Sequence, residues 1–210
     1  MTEPSNAMLD AARDVIRKEG EAVSALADQL DDTFLKVVDL LAGTTGKVFV
    51  VGSGTSGAIA RRMAHLLAVS GTPSVFMHPM DALHGTSGAF TGQDVLIGIS
   101  RGGETTEINH LSELAQKRGM PVVALTADPA STFGKLADVT VVIETSEGAD
   151  PGGVIAMGST LVTAAWGDAL ANVLMRRSGY AWDKVLETHP AGAVGLLTEA
   201  PEALSGFDEE

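Results

Sequence analysis

Five short apolar runs constrain the fold of this chain more strongly than any other feature of its sequence. They lie at residues 48–51, 74–77, 95–99, 121–125 and 139–143. Each is followed by a turn rich in glycine and hydroxyl residues or by a helical pattern, as strands covered on both faces require. Helical spacing places Ile59 and Met63 on one helix face, Ile108 and Leu111 on another, and predicts a third helix over 159–177. We therefore predict an α/β/α sandwich around a five-stranded, mainly parallel sheet.

The residues before the first run show a helical pattern, with apolar side chains mostly three or four positions apart. This pattern predicts two N-terminal helices that pack on the core, with Gly20 as the break between them. We divide the chain into a helical extension at 1–44, a main domain at 45–198 and an acidic tail at 199–210. The tail has little periodicity, and we expect it to be flexible.

The composition disfavours several classes of partner. A net charge of −13 argues against nucleic acid or an anionic membrane, although a local pocket can still bind a small anion. No apolar run approaches the roughly 20 residues that span a bilayer, and the N-terminus has neither the basic nor the apolar region of a signal peptide. Because the chain also has no cysteine, we expect a cytoplasmic protein.

A turn rich in glycine and hydroxyl groups follows the first run, in the string VFVVGSGTSG at 48–57. Glycines such as Gly54 let the backbone approach a ligand, and the first N–H groups of a following helix attract an anion. Ser53, Thr55 and Ser56 add hydroxyl donors to the same turn. The turn lacks the sixth-position glycine of a dinucleotide site and the Gly-Lys-Ser/Thr ending of a P-loop. It predicts an anion site that uses neither NAD nor ATP, and we expect no cofactor.

The third run is followed by a second turn of the same kind, in ISRGGETTE at 99–107. Ser100, Thr105 and the backbone amides of Gly102 and Gly103 can surround an anion. Arg101 can supply a charged fork for a phosphate, a carboxylate or a sulfonate. A single loop of this kind would be a weak signal, but two at successive strand ends predict a ligand of the sugar-phosphate type.

Parallel strands bring such loops together, because ligands of these sheets bind beyond the carboxyl ends of the strands. The loops after the first, second, third and fifth runs are therefore expected to converge on one crevice. The histidines lack the spacing of a metal site and no cysteine occurs, so we predict no metal. His65 and His110 fall on helix surfaces and are expected to be solvated.

Four separated motifs carry a resemblance to a known family. They are GSGTSG at 52–57, GTPSVFMHPMDALHG at 71–85, ISRGGETTE at 99–107 and THPAGAVG at 188–195. In this order they resemble the sugar isomerase (SIS) domain family over roughly residues 20–196, and are most similar to its arabinose-5-phosphate isomerase branch, the KpsF/GutQ-like proteins. The resemblance does not extend to the paired cystathionine-β-synthase-type modules that many members append. It implies a flavodoxin-like fold and a homotetramer or dimer with shared active sites.

The resemblance further implies a cofactor-independent aldose–ketose isomerase that works through an enediol. Such chemistry opens a sugar ring, moves a carbon-bound proton and stabilises an enediolate, tasks that suit carboxylates and histidines. The matching positions are Glu104, Glu147, His84 and His189. The match around Glu147 is loose and needs one inserted residue, so Glu144 or Asp150 could hold its place instead.

The substrate-binding candidates come from the same motifs and from a hydroxyl pair at the start of the last long helix. They are Gly54, Thr55, Ser56, His78, Ser100, Arg101, Gly102, Thr105, Ser159 and Thr160.

This chain also departs from the pattern of the isomerase branch. Thr55 replaces a common lysine, and Thr86 replaces an aspartate. In the loop after the third run, Gly102 stands where the branch has a phosphate-facing hydroxyl, and Arg101 places a cation beside it. These changes predict a substrate other than arabinose 5-phosphate, with its anionic group moved within the pocket or with a different anion or sugar length. A 6-phospho-3-hexuloisomerase, a non-catalytic sugar-phosphate-binding module, and a lyase or deaminase acting on an amino-sugar phosphate remain alternatives.

Overall fold

The computed structural model of the protein describes residues 3–207. Its sheet has five strands, all parallel, in the order β2-β1-β3-β4-β5. The strands are Val48–Gly52 (β1), Ser74–Phe76 (β2), Val95–Ile99 (β3), Val122–Thr126 (β4) and Val139–Val142 (β5). The predicted sheet is confirmed, and each strand lies on the apolar run that predicted it.

Helices cover both faces of this sheet. They are Glu3–Ala25 (α1), Asp32–Ala42 (α2), Gly54–Val69 (α3), Pro79–Leu83 (α4), Thr106–Lys117 (α5), Thr132–Leu136 (α6), Gly158–Ser178 (α7) and Trp182–Glu187 (α8). Short 3₁₀ turns lie at Leu26–Gln29, Thr86–Ala89, Pro151–Gly153 and Val194–Leu196. No helix within residues 3–207 combines the length and the apolar content needed to cross a membrane.

Alternate residues of the three central strands, β1, β3 and β4, enter two separate cores. Val50 and Ile97 pack with α2, α3 and α7 on one face, whereas Phe49 and Leu96 pack with α5 and α6 on the other. Every residue of β1, β3 and β4 is buried. This double coverage explains why the strands read as continuous apolar runs rather than as alternating patterns.

The predicted break at Gly20 is wrong, because α1 continues through Gly20 to Ala25. A helical glycine costs only about 1 kcal/mol relative to alanine, which a helix docked on a core can tolerate. The chain turns instead at residues 26–31, where Asp31 caps α2 by accepting a hydrogen bond from the Thr33 backbone N–H at 2.8 Å. Phe34 of α2 then meets the buried ring of Trp166 in α7, with centroids 5.7 Å apart.

The long helix α7 runs from the carboxyl ends of the strands to their amino ends. Its first residues lie beside the carboxyl ends of β3, β4 and β5. Its last turn lies beside residues 71–73, which precede β2 and therefore lie at the amino ends of the strands. A helix of 21 residues spans about 30 Å at 1.5 Å per residue, so the C-terminal end of α7 lies far from the carboxyl ends of the strands.

The described part of the acidic tail lies against α7 and α8. Trp182 Nε1 donates to the Glu202 carbonyl at 2.9 Å, and Arg176 Nε donates to the Ser205 carbonyl at 2.7 Å. The Phe207 ring lies under the guanidinium of Arg176. Residues 208–210 lie outside the described residues, and the flexibility expected for the tail stays a prediction, as does the division of the chain into three parts.

Candidate active site

A small cavity opens at the carboxyl ends of the central strands. Its volume is about 40 Å³, and its floor is apolar, built from Ile99, Leu125 and Ile143 at or just beyond the strand ends. Hydroxyl groups surround this floor, from Ser56, Thr126, Thr145, Ser159, Thr160 and Thr163. The loops after β1, β3 and β5 therefore converge as predicted, whereas the loop after β2 does not line this cavity.

An open cleft of about 400 Å³ adjoins the cavity. Arg101 and Thr145 line both spaces, so the cleft and the cavity share one wall. The remaining wall of the cleft is the segment between β5 and α7, with Glu147 and Asp150. The cleft is large enough for a small sugar derivative, and the cavity extends it toward the strand ends.

The β1–α3 loop depends on glycine at two positions because strand and helix approach each other closely. A Cβ on Gly52 would lie 2.6 Å from the Ser56 carbonyl oxygen, and one on Gly57 would lie 2.7 Å from the Gly52 oxygen. Gly54 has a φ of +57°, in the region that favours glycine. Gly54 and Thr55 are exposed at the start of α3, where the first N–H groups have no intrahelical partner.

Glu107 is the carboxylate that the structure brings to the strand ends, and the sequence analysis missed it. Ser53 Oγ, just after β1, donates to Glu107 Oε1 at 2.7 Å in a partly buried contact. The hydrogen bond from Ser53, one from the backbone N–H of Glu107 and the nearby His78 hold the pKa of Glu107 below its usual value. Groups that follow β1, β2 and β3 therefore meet at Glu107. Its place in the same motif as Glu104, within the first turn of α5, is the signal that could have found it.

Glu104 has a different environment. Its Oε1 accepts from the Thr132 backbone N–H at 2.8 Å, and its Oε2 accepts from the Thr132 hydroxyl at 2.8 Å. These two bonds, with the charge of Lys135, lower the pKa of Glu104. The side chain is exposed and caps the start of α6, and it does not line the cavity or the cleft. The structure therefore does not bring Glu104 together with the other predicted catalytic groups.

The β3–α5 loop is held by its own hydrogen bonds. Ser100 Oγ and Thr105 Oγ1 lie 2.9 Å apart, and the Gly103 N–H donates to the Ser100 carbonyl at 3.1 Å. The prediction that the Gly103 amide would face an anion is therefore wrong, because the loop itself uses that donor. The Arg101 carbonyl accepts from the Ala127 N–H at 2.9 Å and from the Thr126 hydroxyl at 3.0 Å. This bonding fixes the backbone from which the Arg101 side chain extends, beside the exposed Gly102.

Asp150 is the acidic residue of the 144–150 segment that enters the site. Its Oδ2 lies 2.8 Å from Arg101 Nη1, and its side chain is 4% exposed. Its Oδ1 accepts from the backbone N–H groups of Met157 at 2.9 Å and Ser159 at 3.0 Å. Burial acts to raise the pKa of Asp150, but these hydrogen bonds and the charge of Arg101 outweigh burial, and the pKa lies below its usual value.

The other two acids of this segment are exposed. Glu147 lines the cleft beside Arg101. Glu144 pairs through its backbone with the side chain of Gln29, which accepts from the Glu144 N–H at 2.9 Å. Of the three acids that the sequence left open, Asp150 is buried in the wall of the cleft and Glu147 lines the cleft at the surface. Glu144 does not line the cleft.

The predicted histidines do not gather in the cavity. His78 and His84 are exposed at the two ends of α4. His189 Nδ1 donates to the Val185 carbonyl at 2.7 Å, and His189 lines neither the cavity nor the cleft. His65 and His110 are exposed on helix surfaces, as predicted.

The predicted hydroxyl pair at the start of α7 divides in two. Ser159 is buried and lines the cavity, and its Oγ makes no hydrogen bond of normal geometry among residues 3–207, although it lies close enough to Asp150 to help lower the pKa of that carboxyl group. Thr160 also lines the cavity, but its hydroxyl donates to the Met157 carbonyl within its own helix at 2.7 Å. Across the described part of the chain, no group of three or more histidine or acidic side chains is placed to hold a metal ion.

Comparison with known proteins extends these observations. The model of the SIS domain family matches residues 42–173. The chain is 35% identical over 201 residues to the arabinose 5-phosphate isomerase KdsD of Shigella flexneri, covering 95% of this chain and 61% of that protein. It is 36% identical over 187 residues to KdsD of Pseudomonas aeruginosa, covering 89% and 57%. The chain thus spans about three fifths of the length of these curated relatives.

A solved structure shares the fold over most of the chain. The Escherichia coli CFT073 protein c3406, in complex with arabinose 5-phosphate, superposes with a TM-score of 0.85 at 30% identity. The match covers 90% of this chain and all of that one, at 100%.

Proposed function

The chain belongs to the SIS domain family, and on that premise we propose that it is a cofactor-independent isomerase that interconverts an aldose phosphate and a ketose phosphate. The observation that carries the proposal is the contact of Glu107 with Ser53, which joins the chain beyond β1 to the chain beyond β3. At the carboxyl ends of the same strands lie a hydroxyl-lined cavity and a cleft that share Arg101; Ser56, three residues after Ser53, lines the cavity, whereas Glu107 itself lines neither space. The site thus combines a base, donors for sugar hydroxyls and a cation for the phosphate.

In this proposal Glu107 moves the carbon-bound proton. Glu107 is ionised at neutral pH, the form that a base requires, and its lowered pKa makes it a weaker base than an unperturbed glutamate, so its position rather than its basicity carries the proposal. The Ser53 hydroxyl holds one carboxylate oxygen and leaves the other for the substrate. The enediolate that forms would be stabilised by the helix N-termini and hydroxyls around the cavity. Glu104 would instead support the loop by capping α6.

Arabinose 5-phosphate is the first substrate to test. The curated relatives carry that activity in their names, and the structural neighbour is a complex with the same sugar phosphate. Thr55, Arg101 and Gly102 differ from the pattern of the isomerase branch at the anion loops, so we expect the preference among sugar phosphates to differ from that of the relatives. We propose that the enzyme acts in the cytoplasm, since cells retain phosphorylated sugars there.

We also propose that the active protein is a homo-oligomer with shared sites. His189 follows α8 and lines neither the cavity nor the cleft, and the proposed role for it is to complete the site of another subunit. Exposed apolar side chains offer surface for such contacts, among them Met8 and Ile16 of α1 and Val154 and Ile155 before α7. Mixing Glu107→Gln subunits with His189→Ala subunits tests this arrangement, because hybrid oligomers would contain some intact sites. Activity that does not recover on mixing and refolding would contradict it.

NMR of the purified chain with four-, five- and six-carbon sugar phosphates tests the reaction itself. Conversion of an aldose phosphate to the matching ketose phosphate is expected for at least one member of the panel. Conversion confined to six-carbon ketose phosphates would favour the 6-phospho-3-hexuloisomerase alternative. Binding without conversion of any member would contradict the enzymatic proposal and favour a sugar-phosphate-binding module.

A further inference from the structure

We propose that Asp150 is a positioning residue that fixes the guanidinium of Arg101 at the wall shared by the cavity and the cleft, and thereby sets the affinity for the phosphate of the substrate. The inference rests on the proposed function in taking that anion to be a sugar phosphate. It assigns a role to a carboxylate of the site that is both buried and paired.

The two oxygens of Asp150 have separate partners. Oδ1 accepts from the N–H groups of Met157 and Ser159 where α7 begins, at 2.9 and 3.0 Å. Oδ2 forms an ion pair with Arg101 Nη1 at 2.8 Å but accepts no hydrogen bond among the described residues, so its hold on the guanidinium is electrostatic. Because the carboxylate is 4% exposed and held by backbone donors, it is a fixed anchor rather than a mobile surface charge.

Arg101 has the complementary properties. Its carbonyl is fixed by Ala127 and Thr126, but its side chain is 47% exposed. A guanidinium has five N–H donors, so the contact through Nη1 leaves donors free for a ligand. Arginine binds phosphate through paired, directional hydrogen bonds, and their strength depends on the orientation of the guanidinium plane. A buried carboxylate on one side of the group supplies that orientation.

The surroundings make Arg101 the residue on which phosphate binding depends. Among the residues that the structure describes, it is the one basic side chain that lines either the cavity or the cleft. Thr55 contributes no charge, and Gly102, the neighbour of Arg101, contributes no hydroxyl. The loop amide of Gly103 is used internally. Charge-assisted binding of a phosphate within this space therefore falls to Arg101.

The decisive variant is Asp150→Asn, which is nearly isosteric. The asparagine Oδ1 can still accept from Met157 and Ser159, but its amide cannot attract a guanidinium. We expect Asp150→Asn to raise KM for arabinose 5-phosphate about tenfold with kcat changed less than about twofold, as for loss of a charge-assisted contact. Inorganic phosphate, measured by calorimetry, should bind more weakly by a similar factor. Asp39→Asn, which breaks the remote ion pair with Arg177, is the matched control and should change neither quantity.

A double-mutant cycle separates positioning from an independent role. If Asp150 acts through Arg101, Asp150→Asn should add nothing to Arg101→Ala, because the group that it positions is gone. An effect of equal size in both backgrounds would overturn the proposal, as would an unchanged KM and phosphate affinity in Asp150→Asn. If Asp150→Asn does not fold, Arg101→Lys tests the contact from the other side. Its shorter point charge should raise KM, and a wild-type KM would overturn the proposal.

Failure of the proposed function gives a different result. The wild type could bind inorganic phosphate but isomerise no sugar phosphate. If Asp150→Asn and Arg101→Ala then weaken phosphate binding to the same extent, the inference holds and the isomerase proposal fails. If the wild type binds neither inorganic phosphate nor arabinose 5-phosphate, the inference is overturned.

Discussion

The two loops that read alike in the sequence, β1–α3 and β3–α5, have different roles in the structure. In the β1–α3 loop, close packing of Gly52 and Gly57 brings the exposed start of α3 to the strand edge. In the β3–α5 loop, the hydroxyls bond to each other and the Gly103 amide is used internally, which leaves Arg101 as the group that extends from the loop. One loop offers backbone donors and the other offers a charged side chain on a fixed frame. Similar composition therefore does not indicate similar binding chemistry.

The largest expected effect separates the two carboxylates that follow β3. Glu107→Gln should lower kcat by about 10²–10⁴, the range for loss of a general base, because Glu107 contacts Ser53 across the two loops. Glu104→Gln is the matched control, since it makes the same chemical change three positions away in a side chain that caps α6. Steady-state kinetics on the preferred sugar phosphate measures both. Equal losses in the two variants would contradict the assignment.

A second prediction concerns the backbone of the two loops. Gly103 and Gly54 both have positive φ, at +66° and +57°, but a Cβ on Gly103 would overlap with the Ser131 hydroxyl whereas one on Gly54 meets no atom within 4 Å. We expect Gly103→Ala to cost about 2–4 kcal/mol in the free energy of unfolding and Gly54→Ala about 1 kcal/mol. Urea unfolding measures both, and a larger loss for Gly54→Ala would contradict the close packing inferred around Gly103.

A third prediction concerns pH. Ser53→Ala removes the hydrogen bond that contributes most to lowering the pKa of Glu107, so the pKa should rise toward its ordinary value. Because the base must be ionised, the acid limb of the pH–activity profile should move to higher pH. The variant should therefore be severalfold slower than the wild type in acid and almost unchanged at neutral and higher pH. Ser24→Ala on α1 is the control. Identical pH profiles for the wild type and Ser53→Ala would contradict the claim that Ser53 lowers the pKa of the catalytic base.

The smallest expected effect is on stability, from Glu104→Gln. Hydrogen bonding to Thr132 depresses the pKa of Glu104 in the folded protein. The stabilisation is therefore present above the unfolded pKa and is lost as pH falls through the folded pKa. Glu104→Gln should lower the Tm slightly at neutral pH, and the difference should shrink in acid. A difference that grew as the pH fell would contradict the capping role.

The fold was predictable because its signal is local. Continuous apolar runs report coverage on both faces for the central strands β1, β3 and β4. The edge strands β2 and β5 also follow from their own apolar runs, although each leaves a valine exposed. The position of the helix break was not predictable from Gly20 alone, because docking on the core tolerates a helical glycine. The actual turn depends on Asp31 and on the packing of Phe34 against Trp166.

The site was predictable to the level of loops but not of individual side chains. Whether Glu104 or Glu107 turns toward the strand ends depends on Thr132, which lies 28 residues beyond Glu104 and holds it elsewhere. The burial of Asp150 depends on the backbone donors of Met157 and Ser159, which no local pattern reveals. Which of two nearby residues of the same type enters the site is decided by hydrogen-bond partners far away in the sequence. The periodicity of the local sequence carries no information on those partners.

Proton exchange in heavy water tests the central claim most directly. With the aldose phosphate that the enzyme prefers and with the matching ketose phosphate as substrates, deuterium should enter at the carbon beside the carbonyl in the presence of the wild type and of Glu104→Gln. Glu107→Gln should still bind the sugar phosphate but should incorporate no deuterium. Exchange that persists in Glu107→Gln and disappears in Glu104→Gln would contradict the account.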